Sequence, residues 1–149
     1  MKITICGSIA FYRQMLEAKS RLEELGHEVS LPPKEIRGEK GEIISIEEYY
    51  RRRKSAAESE SWIWDRKEEA IRSHFNKVAW ADAILVLNCE KHGIEGYIGA
   101  NTLMEMGLAF FLGKPIYLLN KIPEADYKEE ILGMKPTVLG GELGRISKV

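Results

Sequence analysis

Two cysteines in 149 residues, Cys6 and Cys89, are too few for a disulfide framework, and no metal-ligand spacing accompanies either. An excess of one charge is also lacking: 22 lysines and arginines meet 23 aspartates and glutamates, for a net charge of −1. That balance argues against a partner such as a nucleic-acid polymer or an acidic membrane, and it leaves a small, locally recognised ligand. No apolar run approaches the ~20 residues of a membrane span. The opening MKITICGS reads as a strand, not as a charged n-region followed by an apolar h-region. A reduced, cytoplasmic protein is expected. Neither a P-loop nor a GxGxxG fingerprint occurs, and no repeat or low-complexity tract is visible.

What is present suits one ordinary globular domain: 44% apolar residues, 30% charged, and a length sufficient for a single core. Lys2–Cys6 is a short apolar strand that stops at Gly7-Ser8. From Phe11 to Leu25 apolar residues recur at helical spacing, and Gly26 supplies a stop. His27–Leu31 is a second strand, ended by Pro32-Pro33. Ala83–Leu87 (AILVL) has no polar side, as in a parallel strand covered on both faces. Asn101–Leu112 reads as a buried helix stopped by Gly113, Pro115–Leu119 as another strand, and Lys135–Leu139 as a candidate fifth. This alternation predicts an α/β fold, a doubly wound parallel sheet of flavodoxin-like or Rossmann-like type with about five strands. The segment 33–75 interrupts it. Between Glu35 and Lys77 the chain is highly charged but carries Tyr49, Tyr50, Trp62, Trp64 and Phe75, and it reads as one or two amphipathic helices beyond a mobile Gly38–Gly41 loop. Such a segment is either a solvated cover or a lid or dimer surface.

In open α/β sheets ligands sit at the carboxyl ends of the strands, where strand order reverses. Gly7-Ser8-Ile9-Ala10, Asn88–Asn101 and Asn120 would meet there. Gly93–Gly99 (GIEGYIG) carries three glycines just before a helix start, so its backbone can approach a ligand and the helix N-terminus favours an anion. Inside the apolar helix that follows stands one carboxylate, Glu105. Thr102-Leu103-Met104-Glu105 matches a capping box. The apolar surroundings instead suggest a functional carboxylate, held ionised by the nearby helix end as a nucleophile requires. Cys6 and Cys89 end strands expected to be neighbours, which leaves a redox pair conceivable and buried cysteine the plainer reading.

The segments ITICGSI (3–9), WADAILVLN (80–88) and above all GYIGANTLMEMGLAFFLGKPIYLLN (96–120) resemble the nucleoside 2-deoxyribosyltransferase superfamily, which includes 2′-deoxynucleoside 5′-phosphate N-hydrolases. Residues 33–75 lie outside the likeness. The resemblance implies that Glu105 attacks the anomeric carbon of a nucleoside, and that Gly7, Ser8, Ile9 and Tyr12 line the sugar or phosphate cleft. By the same likeness Gly99, Ala100 and Asn101 stand where the hydrolases hold a 5′-phosphate. Tyr97, Asn88 and Asn120 are further binding candidates. An aspartate that assists the departing base in the family is replaced near that position by His74, while Asp82 reads as a strand-start residue. The resemblance further implies a small-molecule nucleoside or nucleotide as substrate, no cofactor or metal, and a homodimer or larger homo-oligomer. Alternatives on the same fold are a non-catalytic nucleotide sensor and a ribonucleotide phosphoribohydrolase.

Overall fold

A computed structural model describes residues 1–146 of the chain. Strand β1 (Lys2–Gly7) is followed by a 3-10 turn (Ile9–Phe11) and helix α1 (Tyr12–Glu24), then by β2 (Glu28–Ser30). Next come β3 (Glu35–Arg37), β4 (Ile43–Ser45), α2 (Ile46–Lys54) and α3 (Ser61–Trp80). The chain continues through β5 (Ala83–Leu87), α4 (Ala100–Phe111), β6 (Ile116–Leu118), α5 (Lys128–Gly133) and β7 (Thr137–Val138).

Five strands form one parallel sheet in the order β2-β1-β5-β6-β7, with β1 and β5 paired from Ile3–Ala83 to Gly7–Leu87. This is the doubly wound arrangement expected from the alternation of elements, and its order reverses between β1 and β5. Alternate strand residues feed two cores. On one face Ile3, Ile5, Leu85 and Leu87 pack with Met15 and Leu22 of α1. On the other, Cys6, Ile84, Val86 and Leu118 pack with Val78 of α3, Met106 of α4 and Ile131 of α5. Because β5 feeds both, all five of its residues are buried, as an apolar run without alternation requires.

The interrupting segment contains two helices where one or two were expected, but it begins with an antiparallel hairpin, β3 with β4, that the sequence reading did not anticipate. Each strand has only three residues, too few to show a period of two. Gly38–Gly41 forms its tip, where the Gly38 amide donates to the Glu42 carbonyl at 2.7 Å. Ser45 then caps α2 by accepting from the Glu48 amide at 3.1 Å. Helix α3 is tied to the sheet by polar contacts: Thr4 Oγ1 donates to the Lys77 carbonyl at 2.8 Å, and Lys77 Nζ to the Leu31 carbonyl at 2.6 Å. The Lys114 ammonium donates to the carbonyls of Val78, Ala79 and Ala81 at the C-terminal end of α3, satisfying acceptors that a helix end leaves open. Asp82 is the expected strand-start residue, its carboxylate accepting from the Lys2 amide at 2.7 Å.

Candidate active site

The reversal between β1 and β5 opens a cleft of ≈ 550 Å³ at the carboxyl ends of those strands. Backbone geometry shapes its floor. A Cβ on Gly7 would stand 2.9 Å from the Leu87 carbonyl oxygen and 3.1 Å from the Met15 side chain, so only glycine lets β1 leave the sheet this close to β5. Gly96 has φ +71, and a Cβ there would collide with the Lys121 carbonyl oxygen. The loop around it is held by Asn88, whose amide donates to the carbonyls of Asn120 (3.1 Å) and Lys121 (2.9 Å) and accepts from the Asn120 N–H at 2.8 Å.

Of the sequence candidates, Gly7, Ser8, Ile9, His74, Tyr97, Gly99, Ala100, Asn101 and Glu105 all line the cleft. Three do not. Asn88 and Asn120 are occupied in clamping the loop to each other, and Tyr12 packs against the α1-side core. The capping-box reading of Thr102–Glu105 fails. Gly99 is the N-cap of α4 and Thr102 already lies inside the helix, buried, so no cap position remains for it.

Glu105 therefore sits beyond the first turn, with its side chain only 12% exposed. Burial raises its carboxyl from 4.5 to about 7, against the opposing pull of a hydrogen bond from Cys6 and the charge of Lys67. The expectation of a carboxylate held ionised by the helix end is thereby corrected: desolvation outweighs the helix dipole, which fades within the first turn. Cys6 is fully buried, its thiol pushed well up by burial and then by the charge and hydrogen bond of Glu105. Cys89 packs against the opposite face of the sheet from Cys6, and both are free, so the neighbouring-strand pair is no redox pair.

His74, on α3, is 6% exposed, and its Nε2 lies 3.6 Å from Glu105 Oε2. Burial, with the charge of Lys77, lowers the imidazole from 6.5 to about 4. The ring is then neutral at pH 7, and the contact is not an ion pair. Neither ring nitrogen has a hydrogen-bond partner.

Sequence reasoning missed the cations. Lys67 Nζ donates to Asn101 Oδ1 at 3.0 Å, joining α3 to the first turn of α4. Burial lowers Lys67 from 10.5 to about 8, with the charge of Arg53 adding to this and Glu105 opposing it. Lys91 Nζ donates to Ser8 Oγ at 2.8 Å and lies 5.2 Å over the Tyr97 ring. Arg53 stands 4.7 Å over Tyr50. Lys67 and Arg53 belong to the charged segment whose pattern resembles a solvated surface; only the aromatic residues interleaved with its charges signalled a pocket. Tyr49 is anchored, its hydroxyl donating to the Ile63 carbonyl at 2.6 Å, whereas Tyr50 faces the cleft half-buried.

No protein-family model matches the chain, and no curated protein matches it significantly. Two solved structures are similar. One is a 2-deoxyribosyltransferase from Bacillus psychrosaccharolyticus, 20% identical, with a TM-score of 0.49 over 79% of this chain and 71% of that one. The other is the CMP N-glycosidase BcmB of Clostridium botulinum, 14% identical, with a TM-score of 0.49 over 93% of this chain and 85% of that one. At these identities and TM-scores the likeness carries no assignment of activity.

Proposed function

We propose that this cleft cleaves the N-glycosidic bond of a nucleoside or nucleoside 5′-monophosphate, with Glu105 as nucleophile and water as acceptor. The observation that carries the reading is Glu105 itself. Among the described residues it is the only acidic side chain lining the cleft, which three cations also line and which opens at the strand-order reversal. The motif around it, GYIGANTLMEMGLAFFLGKP, is the one that resembles the superfamily.

One carboxylate suits a covalent route better than a two-carboxylate inverting one, which needs a second acid-base group across the sugar. Ionised Glu105 adds to C1′ as the C1′–N bond breaks, and the bonding pair leaves with the base. Negative charge beneath C1′ stabilises the oxocarbenium-like transition state. Water then attacks C1′ and breaks the C1′–Oε bond, releasing the sugar and regenerating Glu105; the proton that water loses balances the one the departing base takes from solvent. The ammonium of Lys67 and the guanidinium of Arg53 are placed to hydrogen-bond a departing base or a phosphate. His74 acts as a positioning residue: neutral and packed on Glu105, it limits where the carboxylate can point. A panel of nucleosides and their 5′-monophosphates, scored by chromatography for free base, tests this reading. Base release that persists in Glu105→Gln overturns it. Product trapping by an added second base distinguishes transfer from hydrolysis.

A further inference from the structure

We propose that Cys6, His74 and Glu105 form a binding site for a thiophilic divalent cation of the zinc class. The three come from three rigid elements, β1, α3 and α4, and each offers one donor atom; these atoms lie within 4.8 Å of one another. They are the only such grouping of cysteine, histidine and carboxylate side chains among the described residues. Tetrahedral coordination with metal–ligand bonds of 2.0–2.3 Å places neighbouring donors about 3.3–3.6 Å apart. His74 Nε2 and Glu105 Oε2 are already at 3.6 Å.

The second observation is His74. It is 94% buried by its 6% exposure, it faces this cluster, and both its nitrogens lack a hydrogen-bond partner. Buried polar groups are nearly always paired, and an imidazole with a free lone pair beside a thiol and a carboxylate has the chemistry of an unfilled ligand set. The mixed S, N, O donors select a borderline-soft ion such as Zn²⁺ or Co²⁺ over Mg²⁺ or Ca²⁺, which demand oxygen. Three protein ligands leave a fourth position for water on the cleft side. Binding converts the Cys6 thiol to thiolate and expels any proton on Glu105, both protons passing to solvent. Cys6 and Glu105 are separated by ninety-nine positions in the chain, so no sequence spacing reveals the set.

Occupation also withdraws the Glu105 oxygen from the sugar. This consequence, inhibition by the metal, rests on the proposed N-glycosidase reading; the binding itself does not. The test is titration of the chelator-stripped full chain with Co²⁺, followed by Zn²⁺. One equivalent of Co²⁺ should give the near-ultraviolet thiolate charge-transfer band and the intense visible bands of a tetrahedral ion, and Zn²⁺ should abolish both. The band should persist in Cys89→Ser and vanish in Cys6→Ser. His74→Ala should weaken Co²⁺ at least about tenfold, since loss of even an outer-shell partner costs that much. Absence of a thiolate band at one equivalent of Co²⁺ in the unmodified protein overturns the site, as does its loss in Cys89→Ser with circular dichroism unchanged. Where a nucleoside or monophosphate substrate has been found, base release should fall in step with Zn²⁺ occupancy. Binding without inhibition keeps the metal site and removes Glu105 as nucleophile; base release with no metal binding does the reverse.

Discussion

Exchanging Glu105 for glutamine separates two properties of one side chain. As nucleophile it is irreplaceable, so base release should fall by at least about three orders of magnitude, measured by chromatography on the best substrate. As a buried acid it is a burden on the fold. Its carboxyl titrates near 7 in the folded chain against an ordinary 4.5, so between those values the folded state keeps a proton that the unfolded state has lost. The Glu105 contribution to stability is then full below pH 4.5 and is lost as pH rises through 7, by on the order of 3 kcal/mol, while buried His74, lowered to about 4, contributes in the opposite sense below pH 6.5. Glu105→Gln removes that decline, and thermal unfolding at pH 8 should show the variant about 1–3 kcal/mol more stable than the parent. A second prediction concerns rate. If ionised Glu105 attacks and charged Lys67 assists, kcat/KM should rise through about pH 7 and fall through about pH 8. Lys67→Met should remove the alkaline limb and leave the acid one. The presence of Glu105 in a cleft was legible from its sequence alone, as one carboxylate in an apolar helix. Its raised pKa was not, because that comes from burial against elements remote in sequence, which outweighs the opposing pull of Cys6 and Lys67.

At the scale of elements, legibility followed length and periodicity. The five strands of the sheet and helices α1 and α4 are mostly apolar or apolar at helical spacing, with Gly7, Gly26, Pro32 and Gly113 marking the ends of β1, α1, β2 and α4, and the structure places them within a few residues of where the pattern does. The β3–β4 hairpin is too short to have a pattern. The face that α2 and α3 turn to the cleft was hidden because Arg53, Lys67 and Tyr50 stand in it among the apolar Ile46, Ala70 and Ile71, so that it lacks a continuous apolar stripe. Helix α2 reaches the cleft through side chains that rest on one another, with Arg53 and Lys54 over Tyr50 and Arg53 near Tyr49. It is joined to α3 through the Tyr49 hydroxyl and the edge-on Trp62 ring, 6.4 Å between centroids. A short helix with few apolar anchors lies toward the low end of local stability, where ligand-gated elements are found. Binding of a nucleoside monophosphate should therefore slow hydrogen exchange across 46–54 more than across α1. Unchanged protection in α2 with a saturating ligand would mean that it is a fixed wall. Ser45→Ala, which removes the α2 cap at a cost of about 1 kcal/mol, should speed exchange there without ligand and weaken binding.

The whole molecule is nearly neutral, with a net charge of −1, but its charge is unevenly placed. Arg53, Lys67 and Lys91 converge on a cleft whose single acidic side chain is itself half-neutral near pH 7. Composition hid this concentration, since 22 cations and 23 anions cancel in the sum. Two of the three cations are also tied to the loops that the sequence marked as anion sites: Lys91 to Ser8 after β1, and Lys67 to Asn101 in the first turn of α4. Helix α4 adds its own N-terminus, where Gly99 makes no side-chain cap and leaves amides free to donate. Ala100 brings no hydroxyl, so anion binding here depends on those amides and on the ammonium groups. Their field is focused by low-dielectric walls and should favour a doubly charged ligand over a neutral one of the same shape. Calorimetry with a matched nucleoside and its 5′-monophosphate should show the monophosphate binding more tightly by at least about tenfold at pH 7.5. That advantage should shrink as pH falls through the second phosphate pKa of about 6. It should shrink again with added salt, because part of each cation is open to solvent. Lys91→Met should reduce the preference while leaving nucleoside affinity little changed, since Lys91 reaches the cleft from the Ser8 side. Equal affinities for the two ligands would assign the loops to a sugar hydroxyl, with the lysines held by Ser8 and Asn101 for structure alone.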